Sequence, residues 1–312
     1  MGFDAIWISP IPVNAPADYH GYGALDWEKV NPHFGTSSEL TSLIKACHDR
    51  DVWVMLDVVA NHSSYYHNED FSNINPLNKA EYYHTRCDID WNNQWSVENC
   101  WLSGLPDLDQ SNEYVRTYLK SWIKKTVSDF DFDGIRIDTI PEVPKPFWSE
   151  YTAAAGVFQM GECFNQDPAF VGDYQNHVAG LFNYPMFYTI KDVFGSGQSM
   201  DGLKKTLLDM ENNSKDVDAL GVFVDNHDNG RFLSYFNDRP NQFKSALIFA
   251  LTTRGIPFFY YGDEQGFSGG SDPACRESLW THMDTSAEIY QMVAKVNKAR
   301  KAERVWEYGQ TE

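Results

Sequence analysis

The amino-acid sequence predicts an α/β fold built on a parallel sheet, and two observations carry that expectation. Short apolar runs rich in β-branched and aromatic residues alternate with helix-like segments along most of the chain. The runs are continuously apolar rather than alternating, the pattern of strands covered by helices on both faces. Seven such runs occur, one short of the eight of a closed TIM-type (β/α)8 barrel.

The runs are DAIWIS (4–9), VWVMLDVV (52–59), GIRID (134–138), VFQMGE (157–162), LFNYP (181–185), LGVFVDN (220–226) and IPFFYYGD (256–263). Helical patterns fall near 37–49, 111–129, 145–155, 186–210, 241–253 and 286–303. Two open on N-cap signals, Thr36-Ser37-Ser38-Glu39 and Ser111-Asn112. Residues 62–106 form one long polar connection. A structureless loop of that length is improbable inside a compact unit, so this stretch is expected to be a small inserted domain. The catalytic barrel is then expected over 1–61 and 107–312.

Composition narrows the function. The chain has 312 residues, 42% hydrophobic and 15% aromatic, enough for a large core. Its formal charge of −19 repels nucleic acid and anionic membrane surfaces and suits a neutral ligand. No apolar run reaches the length of a membrane span. Of five cysteines, Cys87 and Cys100 lie in a polar, aromatic-rich stretch and are expected to close a small loop as a disulfide, the alternative being two free thiols. Cys47 and Cys163 are expected to be buried free thiols, and Cys275 is unassigned. No CxxC or Cys/His cluster suggests zinc.

The chemistry concentrates at strand ends. In GIRID, the two-residue period of a strand puts Arg136 and Asp138 on one side and Ile135 and Ile137 on the other. A carboxylate beside a guanidinium stays ionised, which suits a nucleophile or a cation stabiliser as well as a structural ion pair. Asp57 with Asn61 and His62, Glu162, and His227 with Asp228 end three further strands. In a parallel barrel the site lies at the C-terminal ends of the strands. Carboxylates, histidines and an arginine arriving there from four strands point to a functional site.

DVVANH (57–62), GIRID (134–138), GE (161–162) and FVDNHD (223–228) resemble, in order, the four characteristic regions of the α-amylase family of glycoside hydrolases, family thirteen. LPDLD (105–109) is similar to the family's fifth region. YHGYG (19–23), VENCWL (97–102) and SDPACRESLW (271–280) resemble fungal-type members. The resemblance implies a barrel lacking its first β/α unit, with the insertion after the third barrel strand. The family's opening strand and helix and its C-terminal β-sandwich domain have no room, so the chain is expected to be truncated at both ends. A missing signal peptide then says nothing about secretion.

It also implies roles. Asp138 would be the nucleophile, Glu162 the general acid and base, and Asp228 the stabiliser of the cationic transition state. Arg136 would keep Asp138 charged. His62, His227, Tyr22 and His20 would line the sugar at the cleavage point, and Asp272 and Arg276 would grip the next glucose. Asn61, Glu98 and Asp107, with the main-chain carbonyl of Glu142, would hold a structural Ca²⁺. The implied activity is retaining endo-hydrolysis of α-1,4-glucosidic bonds in starch or glycogen by a secreted monomer. An α-glucosidase, a transglycosylase, a non-catalytic glucan-binding relative and an inactive fragment stand as alternatives. The chain departs from the family in two places. Pro141-Glu142 stands in place of the family's usual Lys-His, and Gly23 stands where fungal relatives carry tryptophan.

Overall fold

A computed structural model describes residues 1–16, 18–64 and 70–308. It divides into two compact units, one of residues 4–163 with 177–179, the other of residues 1–3, 164–176 and 180–312.

The first unit holds six strands. β1 (Ala5–Ile8) pairs in parallel with β4 (Trp53–Val58), β4 with β5 (Gly134–Ile137), and β5 with β6 (Phe158–Gly161). β2 (Pro12–Asn14) and β3 (Ala24–Val30) form a separate antiparallel pair. The middle strands are apolar because both faces are covered: Val54, Leu56, Ile135 and Ile137 are fully buried. Among the described residues β1 pairs only with β4, and Ile6 is 38% exposed.

The helices between these strands have readable starts and stops. α1 (Ser37–His48) opens on a capping box in which Thr36 and Glu39 satisfy each other's main-chain N–H groups, worth about 1 kcal/mol. α2 (Gln94–Asn99) is a short helix in the long connection. α3 (Glu113–Phe130) opens on Asn112, which accepts from the Tyr114 and Val115 amides, and stops at Asp131 in the left-handed region. α4 (Lys145–Ala155) ends on Gly156, also left-handed.

The second unit carries α5 (Pro168–Asp173), β7 (Gly180–Phe182), α6 (Tyr184–Ile190), α7 (Asp201–Asn213), β8 (Leu220–Val222), α8 (Phe232–Tyr235), α9 (Pro240–Thr252), β9 (Ile256–Pro257), α10 (Glu288–Glu303) and α11 (Val305–Tyr308). β7 pairs in parallel with β8, and β8 with β9. Met186, Ile190, Val222, Phe232, Phe243 and Leu247 lie at the centre of its core.

Several boundaries differ from the sequence reading. The β2–β3 pair was not anticipated, because the polar ALDWEKV of β3 reads as loop. Its main chain is also bonded to the long connection: Trp27 N donates to Asn75 O (3.1 Å) and Asn75 N to Leu25 O (2.7 Å). IPFFYYGD pairs over two residues only. The helix expected over 186–210 breaks into α6, a π turn at Lys191–Gly195 and α7. Gly195 and Gly197 mark the break. A Cβ at Gly195 would meet the Phe236 ring at 2.3 Å, and Gly197 has φ +77°.

The Cys87–Cys100 disulfide is formed. Cys163 and Cys275 are buried free thiols, whereas Cys47 is half-buried, a correction to its expected burial.

Candidate active site

In the first unit, the register aligns Asp57 of β4 directly with Arg136 of β5. Parallel neighbours in register point the same way, so the pair meets by backbone geometry alone. The fully buried Arg136 donates from Nη1 to Asp57 (3.1 and 3.2 Å) and to Asp138 Oδ1 (2.7 Å). Its Nη2 lies 3.0 Å from Glu162 Oε2. One guanidinium thus serves three carboxylates from three consecutive strands.

One positive charge cannot neutralise three buried negative ones, and protons make up the difference. Burial pushes Asp57 up to about 7 against the pull of Arg136. Burial also raises Glu162, with the Asp138 charge adding to the effect and Arg136 opposing it. Although burial alone would lower it, Arg136 is held well above its ordinary range by Asp57 and Glu162. Burial therefore favours the protonated form of Glu162 more than at an exposed glutamate.

The link from Asp138 to the next turn is unusual. Thr139 adopts φ 50°, ψ 52°, a left-handed conformation that a β-branched residue rarely takes. The turn aims the Thr139 N–H at Glu162 Oε2 (3.2 Å), tying the two carboxyl-bearing strands together at their ends.

Aromatic residues wall this cluster. Tyr22 Oη donates to Asp57 Oδ2 (2.7 Å), and Trp7 Nε1 donates to the same oxygen (3.1 Å). The Arg136 guanidinium lies over the Trp7 ring at 5.2 Å and the Tyr22 ring at 5.8 Å. His20 Nδ1 accepts from the Tyr22 amide (3.0 Å). Trp7 was missed by the sequence reading, although it lies on the strand next to Asp57.

His62 is buried, which drives its imidazole down to about 4, so the ring is neutral. Its Nε2 lies 3.1 Å from the Tyr22 carbonyl and must donate there. A neutral ring then has an acceptor at Nδ1, which takes a hydrogen bond from Asn61 Nδ2 at 3.2 Å. That fixes the Asn61 amide with Oδ1 pointing away from His62. Oδ1 then faces Asp107 Oδ1 and Glu142 O, each at 2.9 Å, with no hydrogen between them. Swapping the amide would satisfy those contacts but would require both His62 nitrogens to donate, as an imidazolium.

Three converging hard oxygens without a donor are the arrangement that a calcium ion satisfies. Burial pushes Asp107 up to about 7, although His84 Nδ1 lies 2.6 Å away, the behaviour of a carboxylate short of positive charge. Glu98, on α2, accepts from Gln94 Nε2 (2.8 Å), and the same nitrogen donates to Pro141 O (2.9 Å). Glu98 is thus linked through Gln94 to Pro141, the residue before Glu142. The Glu142 carboxyl is buried and pushed up to about 8. Among the described residues no three His, Cys, Asp or Glu side chains cluster as a metal cage; this oxygen set draws on an amide and a main-chain carbonyl instead. His84 and Gln94 were not anticipated from sequence.

The second unit holds His227, Asp228, Asp272 and Arg276. Asp228 N donates to Asn226 Oδ1 (3.2 Å), and His227 Nε2 lies 3.3 Å from Asp228 Oδ2. Arg276 Nε pairs with Asp272 Oδ1 (2.6 Å) and donates to His227 O (3.2 Å), while Nη2 lies 3.8 Å from Asp228 Oδ1. All four expected residues therefore gather on neighbouring loops.

The chain matches the family described as "Alpha amylase, catalytic domain" over residues 1–310. It is 42% identical over 313 residues to a beta/alpha-amylase of Paenibacillus polymyxa, covering 96% of this chain and 26% of that protein. It is 38% identical to alpha-amylase 1 of Lipomyces kononenkoae, covering 96% of this chain and 50% of that protein. The chain thus spans about a quarter to a half of these two relatives. Among solved structures, an alpha-amylase from Malbranchea cinnamomea superposes with a TM-score of 0.94 at 38% identity, over 97% of this chain and 67% of that one. The acarbose complex of an alpha-amylase from Geobacillus thermoleovorans gives 0.89 at 36% identity, over 96% and 69%. With strand pairing, strand-end carboxylates and these matches in agreement, the chain is a partial (β/α)8 barrel and belongs to the alpha-amylase family, within that family's catalytic domain.

Proposed function

We propose that this chain is the catalytic part of a retaining, endo-acting α-1,4-glucan hydrolase that works on starch or glycogen. The observation that supports it most is the single buried Arg136 shared among Asp57, Asp138 and Glu162, with Glu162 raised by burial and by Asp138. A retaining glycosidase needs two carboxyl groups with opposed protonation at the start of the reaction.

Asp138, closest to the guanidinium, attacks the anomeric carbon as carboxylate. Glu162 gives its proton to the departing glycosidic oxygen, so the C–O bond breaks as the Asp138–glycosyl ester forms. Glu162, now a carboxylate, takes a proton from water, which hydrolyses the ester and restores both groups. The Thr139 amide, donating to Glu162, helps orient that carboxyl. Asp228 is assigned the stabilisation of the cationic transition state. Tyr22, His20, His62 and His227 are assigned to the sugar at the cleavage point, and Asp272 and Arg276 to its neighbour. Each of these roles rests on the family resemblance, together with the polar environments described above.

Asn61, Asp107 and the Glu142 carbonyl, with Glu98 beside them, would hold a Ca²⁺. The ion would supply rigidity between the Asn61 loop and the 94–107 and 140–142 segments. Residues 62–106 are assigned as the inserted domain on the barrel of 1–61 and 107–312. The disulfide supports an extracellular, secreted location, and no helix among the described residues is long and apolar enough to cross a membrane. We assign a monomer acting on a neutral glucan.

The test is product analysis with calcium present. Soluble starch should lose iodine staining rapidly and give oligosaccharides. Glucose released from maltose alone would favour an α-glucosidase, and no turnover of either would overturn the reading.

A further inference from the structure

Asp228 sits at the tip of a loop whose two ends are both fastened to the 261–277 segment. On its N-terminal side, the His227 carbonyl accepts from Arg276 Nε and from the Cys275 thiol, both at 3.2 Å. Burial raises the Cys275 pKa, which keeps the thiol protonated as a donor. On its C-terminal side, the fully buried Arg231 makes four anchoring bonds. Its amide donates to Gly269 O (3.0 Å). Its guanidinium reaches Glu277 Oε2 (2.7 Å), Asp263 Oδ1 (2.9 Å) and Tyr261 O (2.9 Å). Glu277 Oε1 also accepts from Gly269 N at 2.6 Å, so this one carboxylate closes the ring between Arg231 and the 269–277 segment.

The base of the loop is closed as well. Both oxygens of Asp225 accept from Phe232 N (2.8 and 2.9 Å), and Lys191 Nζ donates to Gly230 O (3.2 Å). Arg231 packs face-on over Tyr260 at 4.3 Å, so its guanidinium has little room to move. So many bonds to a loop of a few residues exceed what closing the turn requires. They hold it in one conformation.

We propose that the 269–277 segment is a strap that fixes the main chain on both sides of Asp228, with Arg231, Cys275 and Glu277 as positioning residues for that carboxylate. The proposal rests on the reading of Asp228 as the group that stabilises the cationic transition state. A carboxylate stabilises a developing charge only if it is already in place, and a displacement of about 1 Å costs as much as a hundredfold in rate.

Glu277→Gln tests this with little change of volume. Glutamine has one acceptor oxygen where two are used, so either the Arg231 or the Gly269 bond is lost. The probes are acarbose, a cationic amino-sugar inhibitor, and maltotriose, a neutral glucan. E277Q should weaken acarbose binding and lower kcat, each about tenfold, with maltotriose affinity and KM held within about twofold. In a D228N background E277Q should have no further effect on acarbose, because the carboxylate it positions is gone. An equal loss in both backgrounds, or none in the parent, would overturn the strap and leave Glu277 as ordinary scaffolding. Undiminished acarbose affinity in D228N alone would instead overturn the reading of Asp228, and the strap with it. Should E277Q fail to fold, C275A removes only the thiol contact to His227 O and is expected to show the same dependence on residue 228, with a smaller loss; independence from residue 228 would again overturn the proposal.

Discussion

Arg136 illustrates how much one residue organises at this site. It is buried and ion-paired with three carboxylates that would otherwise repel one another. Burial, with the Asp138 charge adding to it and Arg136 opposing, raises Glu162 and favours its protonated form. A general acid works only while it holds its proton, so kcat/KM on starch should fall as pH rises through the folded-state pKa of Glu162, which lies above the ordinary glutamate value. The pH profile on maltosyl fluoride, whose leaving group needs no proton, should lack that alkaline limb; an identical limb on both substrates would count against Glu162 as the acid. Asp138→Asn and Glu162→Gln should each cut starch hydrolysis by about a thousandfold and leave maltotriose binding nearly intact, as measured by calorimetry. The side-by-side placement of Arg136 and Asp138 was legible in the sequence because a strand's period of two dictates it. The contact to Asp57 depends on register, which one strand's sequence does not contain, and so does the approach of Trp7.

At the scale of elements, the 62–106 connection is held less by secondary structure than by cross-links: the disulfide, Trp101 Nε1 donating to His84 O (2.9 Å), and His84 on Asp107. Replacing Cys87 and Cys100 with serine opens a loop with a sequence separation of 13, which should destabilise the protein by about 3 kcal/mol, read from urea unfolding. Identical midpoints with and without the bridge would show that the loop is held by its other bonds alone. Element existence was readable where periodicity was long, as in α1, α3 and α10. It failed where a few residues decide. The GSG of 195–197 ends a helix that the apolar pattern would continue. β3 reads as polar because its C-terminal half carries the exposed Glu28 and Lys29. The Cys87–Cys100 disulfide was the expected outcome, with two free thiols as the alternative, and it is formed.

For the whole molecule, the charge of −19 bears on ion binding as well as on substrate choice. A negative protein gathers cations, and under the proposed reading the three oxygens of Asn61, Asp107 and Glu142 would supply the specific place. Chelation should lower the melting temperature, and added calcium should restore it, as expected when an ion binds the folded state alone. A midpoint indifferent to chelator would contradict the assignment. The class of fold was legible because seven apolar runs separated by helices have few other solutions. The residues proposed to hold calcium were named only through the family resemblance, because an amide and a main-chain carbonyl carry no sequence pattern of their own.

The claim on which the rest depends is the covalent role of Asp138, and trapping measures it directly. E162Q incubated with maltosyl fluoride should form the glycosyl ester readily, since fluoride leaves without a proton, and lose it slowly, since no base activates water. Mass spectrometry of the digested protein should find the added maltosyl group on the peptide carrying Asp138, and on no peptide in the D138N/E162Q double variant. A maltosyl group on another residue, or fluoride release with no adduct and an inverted product, would contradict the account.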